Sequence, residues 1–341
     1  MNGMVAGPPP LLDSIATLST RLAEAKPRRI AILTHKGADV DALASAFGIR
    51  EMLAQSCPSS HLSIHSVGRL PQKSRGLVEF LDLEVDGEMP ETQGSWIFLV
   101  DTGGWMTTGV PVERLSEAEC RVLVDHHPLV DQDLYDIVLY HPSTSTSEIV
   151  LKMFDVLHCT MEERVSTALL AGVITDTAGL REANDETLMH LCELGSKGAK
   201  IAKAWETISR EASRDETIAR LKAAQRMKIL KTKELVVVIT EVGSYHSVVA
   251  SALIRLGADL AIVFSRAPEG SKASLRASRR LSDLSSLDLG PLSAELAREL
   301  GGHGGGHIRA GALSSSKNMK ESLALAEKFL AKHLSQLRTA E

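Results

Sequence analysis

Aromatic residues are scarce in this 341-residue chain and make up 4% of it. Because a surface that stacks many successive bases needs aromatic side chains, we do not expect such a platform as the main binding device. Positive charge is also limited, because the chain has 38 Lys and Arg residues and 43 Asp and Glu residues, which gives a net charge of −5. This balance argues against a chain-wide electrostatic footprint for long duplex nucleic acid. A small anionic substrate stays compatible with it if metal ions supply positive charge locally.

Paired cysteines and long apolar runs are missing as well. The four cysteines are scattered and form no C-x-x-C pair, which argues against a disulfide framework or a zinc knuckle and fits a reducing compartment. The first ten residues show no basic segment followed by an apolar one, so no secretory signal is expected. No apolar run reaches membrane-spanning length. We therefore expect a cytoplasmic protein that does not use a membrane.

The chain is long enough for two domains, and its 44% apolar and 24% charged residues are typical of globular proteins. The order of apolar strand-like and helical patterns predicts an α/β fold. We expect a parallel-sheet domain over residues 1–190 and a helical connector over residues 191–232, which includes a charged helix from Arg214 to Lys231. A smaller α/β domain is expected over residues 233–341.

The stretch from Arg29 to Ala46 holds the first candidate site. An apolar run ends at Thr34, and a helical pattern begins near Asp41. His35, Asp39 and Asp41 fall within the turn between them. Open α/β sheets bind their ligands at this edge of the sheet. Taken alone, Asp39 and Asp41 could equally be turn and helix-cap residues.

Two later strands repeat this placement. WIFLVD ends in Asp101, and RVLVD ends in Asp125, which is followed by His126 and His127. Continuous apolar runs of this kind suit strands buried on both faces of a parallel sheet. Asp176 stands at the end of a predicted helix. A core strand gains nothing from a terminal acid, so the repetition indicates a site at the sheet edge.

The carboxylates and imidazoles expected at this sheet edge favour Mn²⁺ or Mg²⁺ over a structural zinc, which would take cysteines. It holds enough ligands for two cations about 3.5–4 Å apart, which can clamp the attacking and leaving oxygens of a phosphoryl displacement and acidify a bridging water. The candidate residues are His35, Asp39, Asp41, Asp101, Asp125, His126, His127 and Asp176.

Four segments together resemble the DHH phosphoesterase superfamily. They are VDHH at Val124–His127, THKGADVDALAS at Thr34–Ser45, LVDTGG at Leu99–Gly104 and ITDTAGL at Ile174–Leu180. Their order over about 180 residues matches that family. The first segment departs from the usual Asn-Pro-Asp-Gly-Asp run, but its ligand spacing is kept.

The resemblance implies two metals bridged by one carboxylate. The first metal is expected on His35, Asp39 and Asp101, and the second on Asp41, Asp101, His126 and Asp176. It also implies catalytic roles for Asp125, which would orient an imidazole, and for His127, which would face the phosphate as a proton donor or charge stabiliser. Mn²⁺ is the expected cofactor, with Mg²⁺ or Co²⁺ also compatible.

The C-terminal part resembles the DHH-associated domain of the first type, which in that family closes over the metal site and selects the substrate. The resemblance rests on the SLR run ending in Arg276 and on Gly304, Gly305, Gly306 and His307. Glycines allow close approach of an anion to the backbone, and Arg276 could pair a terminal phosphate. The alternative for the glycine run is a flexible linker.

The family implies an oligoribonuclease-like hydrolase. We expect a two-metal phosphoesterase acting on short single-stranded oligonucleotides, a linear dinucleotide such as pApA, or the bisphosphate pAp. An inorganic pyrophosphatase or polyphosphatase is one alternative, although the C-terminal glycine motif counts against it. A non-catalytic nucleotide-binding module is another, although no motif acid or histidine is replaced. Relatives often form homodimers, and the sequence leaves the oligomeric state open.

Overall fold

The computed structural model describes residues 9–128, 130–209, 212–231, 235–284 and 287–336. It divides into two compact units, Met1–Arg210 and Glu211–Glu341. The α/β fold predicted from the sequence is confirmed. The division falls inside the predicted connector, and the predicted domain limits at 190 and 232 stay predictions. Within the described part of the chain, every helix is too short or too polar to cross a membrane.

The first unit is built on a parallel sheet in the order β2-β1-β3-β4-β5. Its strands are β1 (Arg29–Thr34), β2 (His61–His65), β3 (Trp96–Val100), β4 (Cys120–Asp125) and β5 (Ile137–Tyr140). Its helices are α1 (Leu11–Ala25), α2 (Val40–Ser56), α3 (Gln72–Leu81), α4 (Val112–Ser116), α5 (Thr146–Val156), α6 (Glu163–Asp176), α7 (Asp185–Ser196) and α8 (Ile201–Ile208).

Both faces of this sheet are buried, which explains the continuous apolar runs of its strands. In β1, Ile30 and Ile32 face the main core, which contains α1, α2, α5 and α6. Ala31 and Leu33 face a second cluster on the opposite side. Because all five strands run in the same direction, their carboxyl ends lie along one edge. The residues that follow β1, β3 and β4 are therefore neighbours.

The second unit has its own mixed sheet in the order β10-β11-β9-β8-β7-β6, in which the β7–β8 pair is parallel and the other pairs are antiparallel. Its strands are β6 (Lys228–Lys231), β7 (Val236–Val242), β8 (Leu260–Ala267), β9 (Gly270–Ala277), β10 (Gly304–His307) and β11 (Ala310–Ser315). Its helices are α9 (Arg214–Arg226), α10 (His246–Arg255), α11 (Arg279–Leu284), α12 (Leu289–Glu299) and α13 (Met319–Gln336). One face of the sheet packs against α12 and α13, and the other against α9 and α10.

One sequence prediction for this unit is wrong, and one alternative is excluded. The helix predicted from Arg214 to Lys231 ends at Arg226, because Met227 is extended and Lys228–Lys231 pairs with β7 as an edge strand. The linker alternative for the glycine run also fails, since Gly304–His307 forms an antiparallel pair with β11. In both places, pairing with a neighbouring strand outweighs local propensity.

Close packing against α12 explains several of these glycines. A Cβ on Gly311 would collide with the Ser293 hydroxyl and lie 3.0 Å from the Leu289 carbonyl oxygen. A Cβ on Gly304 would lie 2.5 Å from the Ser293 carbonyl oxygen. At Gly305, by contrast, a Cβ would meet nothing within 4 Å in the described structure. The run therefore combines glycines needed for packing with one that faces open space.

We predict that Gly311→Ala destabilises the protein by about 1–3 kcal/mol, because the added methyl group overpacks the contact with α12. Gly305→Ala is the matched control and should change the free energy of unfolding by less than about 0.5 kcal/mol. Denaturant unfolding of the full chain compares the two variants. Equal stabilities would contradict the packing explanation.

Candidate metal centre

The carboxyl edge of the first sheet gathers carboxylates and imidazoles from five elements. Three groups have ligand atoms within 4.8 Å of one another. The groups are His35 with Asp39 and Asp101, Asp41 with His126 and Asp176, and Asp101 with His126 and His127. Seven of the eight residues named from the sequence are in these groups, and the eighth, Asp125, is hydrogen-bonded to His127.

His126 presents an unpartnered nitrogen to this cluster. Its Nδ1 lies 3.1 Å from the Ser143 carbonyl oxygen and donates to it, so Nε2 is the ring nitrogen that faces the cluster. Nε2 lies 3.2 Å from Asp176 and 3.5 Å from Asp101. It is buried and has no hydrogen-bond partner among the described residues. Burial lowers the pKa of this imidazole, but the nearby carboxylates of Asp176, Asp41 and Asp101 raise it to about 10, so a cation shared with these carboxylates would displace the Nε2 proton.

Asp101 lies at the centre of the cluster. It follows β3 in a left-handed backbone conformation, with φ of 54°, and the chain turns sharply there. The residue is buried, with 2% of its surface exposed. The Thr146 hydroxyl donates to its Oδ1 at 2.9 Å. Burial, followed by the charges of Asp39, Asp125 and Asp176, raises its pKa to about 7. Without a cation, Asp101 is therefore protonated at acidic pH.

Asp41 is completely buried in the first turn of α2. The backbone N–H groups of Thr146 and Ser147 donate to it at 2.7 and 3.1 Å, and the Ser147 hydroxyl donates at 2.5 Å. These donors belong to the N-terminus of α5, a natural anion site. Burial and the charges of Asp101 and Asp176 nevertheless raise the pKa of Asp41 well above its ordinary value.

Gly172 of α6 permits this arrangement. A Cβ at this position would lie 2.6 Å from Asp41 Oδ1 and would collide with the Ser147 hydroxyl. The absence of a side chain therefore lets α6 pass close to both residues, and it brings Asp176 to the cluster at the last position of the same helix.

His35 and Asp39 form the more exposed side of the cluster. Asp39 is the N-cap of α2, and its Oδ1 accepts from the Ala42 N–H at 3.1 Å. The cap interpretation is thus correct for Asp39, and it is compatible with a ligand role because the second carboxylate oxygen is not used by the cap. His35 Nε2 lies 3.8 Å from Asp39 Oδ1. The Asp39 carboxylate raises the pKa of His35 against the effect of burial, and the Asp39 backbone N–H donates to His35 Nε2 at 3.3 Å.

Asp125 fixes the orientation of His127. One of its oxygens accepts from the backbone N–H groups of Thr102 and Gly103 at 2.8 and 2.7 Å. The other lies 2.9 Å from the His127 backbone nitrogen and 2.8 Å from its Nδ1. This bond raises the pKa of His127, whose side chain is 46% exposed. Because Nδ1–H is held by Asp125, the Nε2 side of the imidazole is available to a ligand.

A cleft of about 260 Å³ opens beside these residues. Lys36 is the cationic lysine in a lining that otherwise contains carboxylates, imidazoles and threonines. The backbone N–H of Lys36 donates to the Thr107 carbonyl oxygen at 2.8 Å. The lining residues are His35, Lys36, Asp39, Asp101, Thr102, Thr107, His127 and Asp176. The cleft thus has the volume for a phosphate group next to the cluster.

Sequence reasoning missed the residues that hold the acids in place. Ser143, Thr146 and Ser147 lie in the polar segment HPSTSTS, which runs into the start of α5. Its unusual run of hydroxyl residues was the available signal. Gly172 and Lys36 were also missed, because nothing in their local pattern distinguishes them from an ordinary helix glycine or a surface lysine.

The residues predicted from the C-terminal motif lie in the second unit and form a group there. Across the sheet, Arg276 pairs with Ala310, and Ala310 pairs with His307. Arg276 donates to the Ser247 hydroxyl at 2.8 Å. Arg276 and His307 therefore lie in one row, on the face of the sheet opposite α12.

Comparisons with known proteins agree with this architecture. The sequence profile of the DHH family, N-terminal domain, matches residues 29–174. An uncharacterized protein of Methanocaldococcus jannaschii is 31% identical over 300 residues, which cover 86% of this chain and 89% of that protein. The structure of an exopolyphosphatase-related protein from Bacteroides fragilis has a TM-score of 0.65 at 18% identity, with 99% of this chain and 100% of that chain covered. The structure of the DHH domain of a member of a ribosomal protein family has a TM-score of 0.54 at 15% identity, with 94% and 91% covered.

This chain belongs to the DHH family, whose members are divalent-metal-dependent phosphoesterases. The resemblance seen in the four sequence segments is thereby confirmed. The acidic and histidine cluster at the sheet edge is a metal-binding candidate that fits this membership.

We predict that Asp101→Asn stabilises the metal-free protein at pH 8. The carboxyl pKa is 3.8 when unfolded and about 7 when folded, so ionisation favours the unfolded state increasingly between these values, and the penalty is complete above pH 7. The gain should reach about 1–4 kcal/mol at pH 8 and shrink as the pH falls towards 4. Denaturant unfolding in EDTA at pH 8, 6 and 5 measures it. A gain independent of pH would contradict this origin.

We also predict that Gly172→Ala weakens Mn²⁺ binding at least tenfold, because the methyl group displaces Asp41 and Ser147. Gly195→Ala is the matched control in another helix of the same unit, since a Cβ there meets nothing within 4 Å in the described structure. Calorimetric titration of both variants with Mn²⁺ provides the comparison. Wild-type affinity in Gly172→Ala would show that the close approach of α6 is not needed.

Proposed function

We propose that this protein is a two-metal, Mn²⁺-preferring phosphoesterase that hydrolyses short oligonucleotides, linear dinucleotides such as pApA, or pAp. The observation that carries the proposal is the group of carboxylates gathered around His126 Nε2, of which Asp41 and Asp101 are buried. Such an arrangement is costly for the protein alone and is relieved by a cation.

The proposed ligands divide between two cations. His35, Asp39 and Asp101 would hold one, and Asp41, Asp101, His126 and Asp176 would hold the other, with Asp101 shared. Bound divalent cations would acidify a water molecule and neutralise charge on the phosphoryl oxygens. The oxygen-rich ligand set favours Mn²⁺ or Mg²⁺, and the histidines shift the preference towards Mn²⁺.

His127 would act on the phosphate directly. Its raised pKa keeps a larger fraction of the imidazole protonated near neutral pH. Asp125 holds Nδ1–H, so the proton on Nε2 would be available to the leaving oxygen or to the charge that develops on phosphorus. Asp125 itself keeps its charge: burial raises its pKa, but the hydrogen bonds from His127 and Gly103 outweigh burial and lower it.

The cleft favours a small substrate. About 260 Å³ has room for the reacting phosphate group but not for several stacked nucleotides. Lys36 would pair with a phosphate oxygen and offset the acidic lining. The net charge of −5 also argues against processive digestion of long strands.

The second unit would supply specificity for nucleotides. Arg276 and His307 lie in one row of its sheet, and Gly305 faces open space among the described residues. Arg276 would bind a terminal phosphate, His307 would hydrogen-bond or stack on the nucleotide, and Gly304, Gly305 and Gly306 would contribute backbone. Of these glycines, Gly305 is the best placed, because Gly304 and Gly306 are packed closely against their neighbours.

The proposal is tested by Mn²⁺-dependent turnover of pApA, pAp, a labelled short RNA and pyrophosphate, with the wild type beside Asp101→Ala. We expect release of mononucleotides from the dinucleotide or the RNA, or of phosphate from pAp. We expect the variant to lose at least 10²-fold in rate, because the shared carboxylate is removed.

Hydrolysis of pyrophosphate alone would replace this proposal with a pyrophosphatase. No turnover of the four compounds by a chain that binds two Mn²⁺ would overturn the substrate assignment and leave the metal centre standing. Equal rates for the wild type and Asp101→Ala would overturn the metal mechanism.

A further inference from the structure

One short segment holds three of the proposed metal ligands. The carbonyl of Ser143 accepts from His126 Nδ1 at 3.1 Å. The Thr146 hydroxyl donates to Asp101, and the Thr146 and Ser147 N–H groups donate to Asp41. The segment from Ser143 to Ser147, which we call the hydroxyl segment, therefore determines where the imidazole and both buried carboxylates lie.

The hydroxyl segment is itself held by a buried carboxylate. Glu148 is 1% exposed, and it accepts from the hydroxyls of Thr144 and Ser145 at 2.8 and 3.1 Å. Burial raises the pKa of Glu148, but the hydrogen bond from His190 and the two hydroxyls outweigh burial and lower it. Glu148 is thus an ionised carboxylate with one oxygen bonded to the segment and the other to His190, and neither oxygen is bonded to the candidate metal ligands in the described structure.

His190 provides a hydrogen-bond partner for Glu148 from a separate helix. It lies on α7, 42 residues away in sequence, and its Nδ1 is 2.9 Å from Glu148 Oε1. A second link joins the same helix to the segment, since the Thr187 and Thr144 hydroxyls are 2.9 Å apart. The first link reaches the hydroxyl segment through Glu148 and the second reaches it directly at Thr144, so α7 is connected to the segment by both.

We propose that Glu148 and His190 are positioning residues for the metal centre, acting through the hydroxyl segment on Asp41, Asp101 and His126. The inference rests on the proposed metal site and extends it to a pair that touches neither the cations nor the substrate. Removal of the His190 imidazole would leave one oxygen of the buried Glu148 carboxylate without its N–H donor, and the carboxylate would draw donors away from the segment.

The test is calorimetric titration of the EDTA-treated full chain with Mn²⁺. We expect His190→Ala to lower the affinity about 10–100-fold, the range typical of groups that orient metal ligands. His190→Asn places an N–H donor near the position of Nδ1 and should recover most of the loss. Glu148→Gln should lower the affinity in the same direction, and it serves if His190→Ala does not fold.

His65→Ala is the matched control for loss of a buried histidine. His65 and His190 are each 6% exposed, and His65 is hydrogen-bonded to Ser63 and the Glu88 carbonyl, outside the hydroxyl segment. His65→Ala should lower the melting temperature and leave Mn²⁺ affinity within about threefold of the wild type.

Unchanged affinity in a folded His190→Ala, or an equal loss in His65→Ala, would overturn the positioning role. A wild-type chain that binds no Mn²⁺ would overturn the proposed metal site, and this inference with it. If the wild type binds Mn²⁺ and His190→Ala binds it equally well, this inference is overturned and the proposed metal site stands.

Discussion

Repulsion among carboxylates gathered at one edge of a buried sheet is the constraint on which the first unit depends. Asp41 and Asp101 are withdrawn from water; the charge of Asp101 raises the pKa of Asp41, and the charges of Asp39, Asp125 and Asp176 raise the pKa of Asp101. Nothing in the hydrophobic core compensates this cost. The surrounding structure does so in part by aiming backbone N–H groups and hydroxyls at the acids, and a divalent cation would supply the remaining charge. The DHH fold can therefore be understood as a scaffold that keeps acids close together until metal binds.

The scaffold achieves this with ordinary secondary-structure chemistry. The N-terminus of α5 points its first N–H groups at Asp41, and Asp39 caps α2 with one oxygen. Asp125 spans the ends of β3 and β4 and fixes the imidazole of His127. Each of these interactions would stabilise a helix or loop in any protein. Here they also determine where the candidate ligands lie, so local stability and metal-site geometry depend on the same hydrogen bonds.

Glycine has two different purposes in this chain, and the sequence does not distinguish them. Gly172 and Gly311 allow backbone segments to approach neighbouring side chains, and a methyl group at either position would collide with a serine hydroxyl. Gly305 lies in the same motif as glycines needed for packing, yet it faces open space among the described residues. A conspicuous glycine run is therefore compatible both with helix–sheet packing and with ligand approach. The difference between them depends on what lies opposite each Cα.

The sequence alone determined the parallel sheet and the residues at its edge, because continuous apolar strands that end in Asp or His leave few arrangements open. Asp101, Asp125 and His126 were identified in this way. It did not determine strand β6 or the β10–β11 pair, because Lys228–Lys231 continues a charged helical pattern and the glycines of Gly304–His307 have low strand propensity. Only the tertiary structure showed that Thr146 donates to Asp101 and that Glu148 is hydrogen-bonded to His190. Their hydrogen bonds cross between elements far apart in the chain, and no local pattern encodes such a contact.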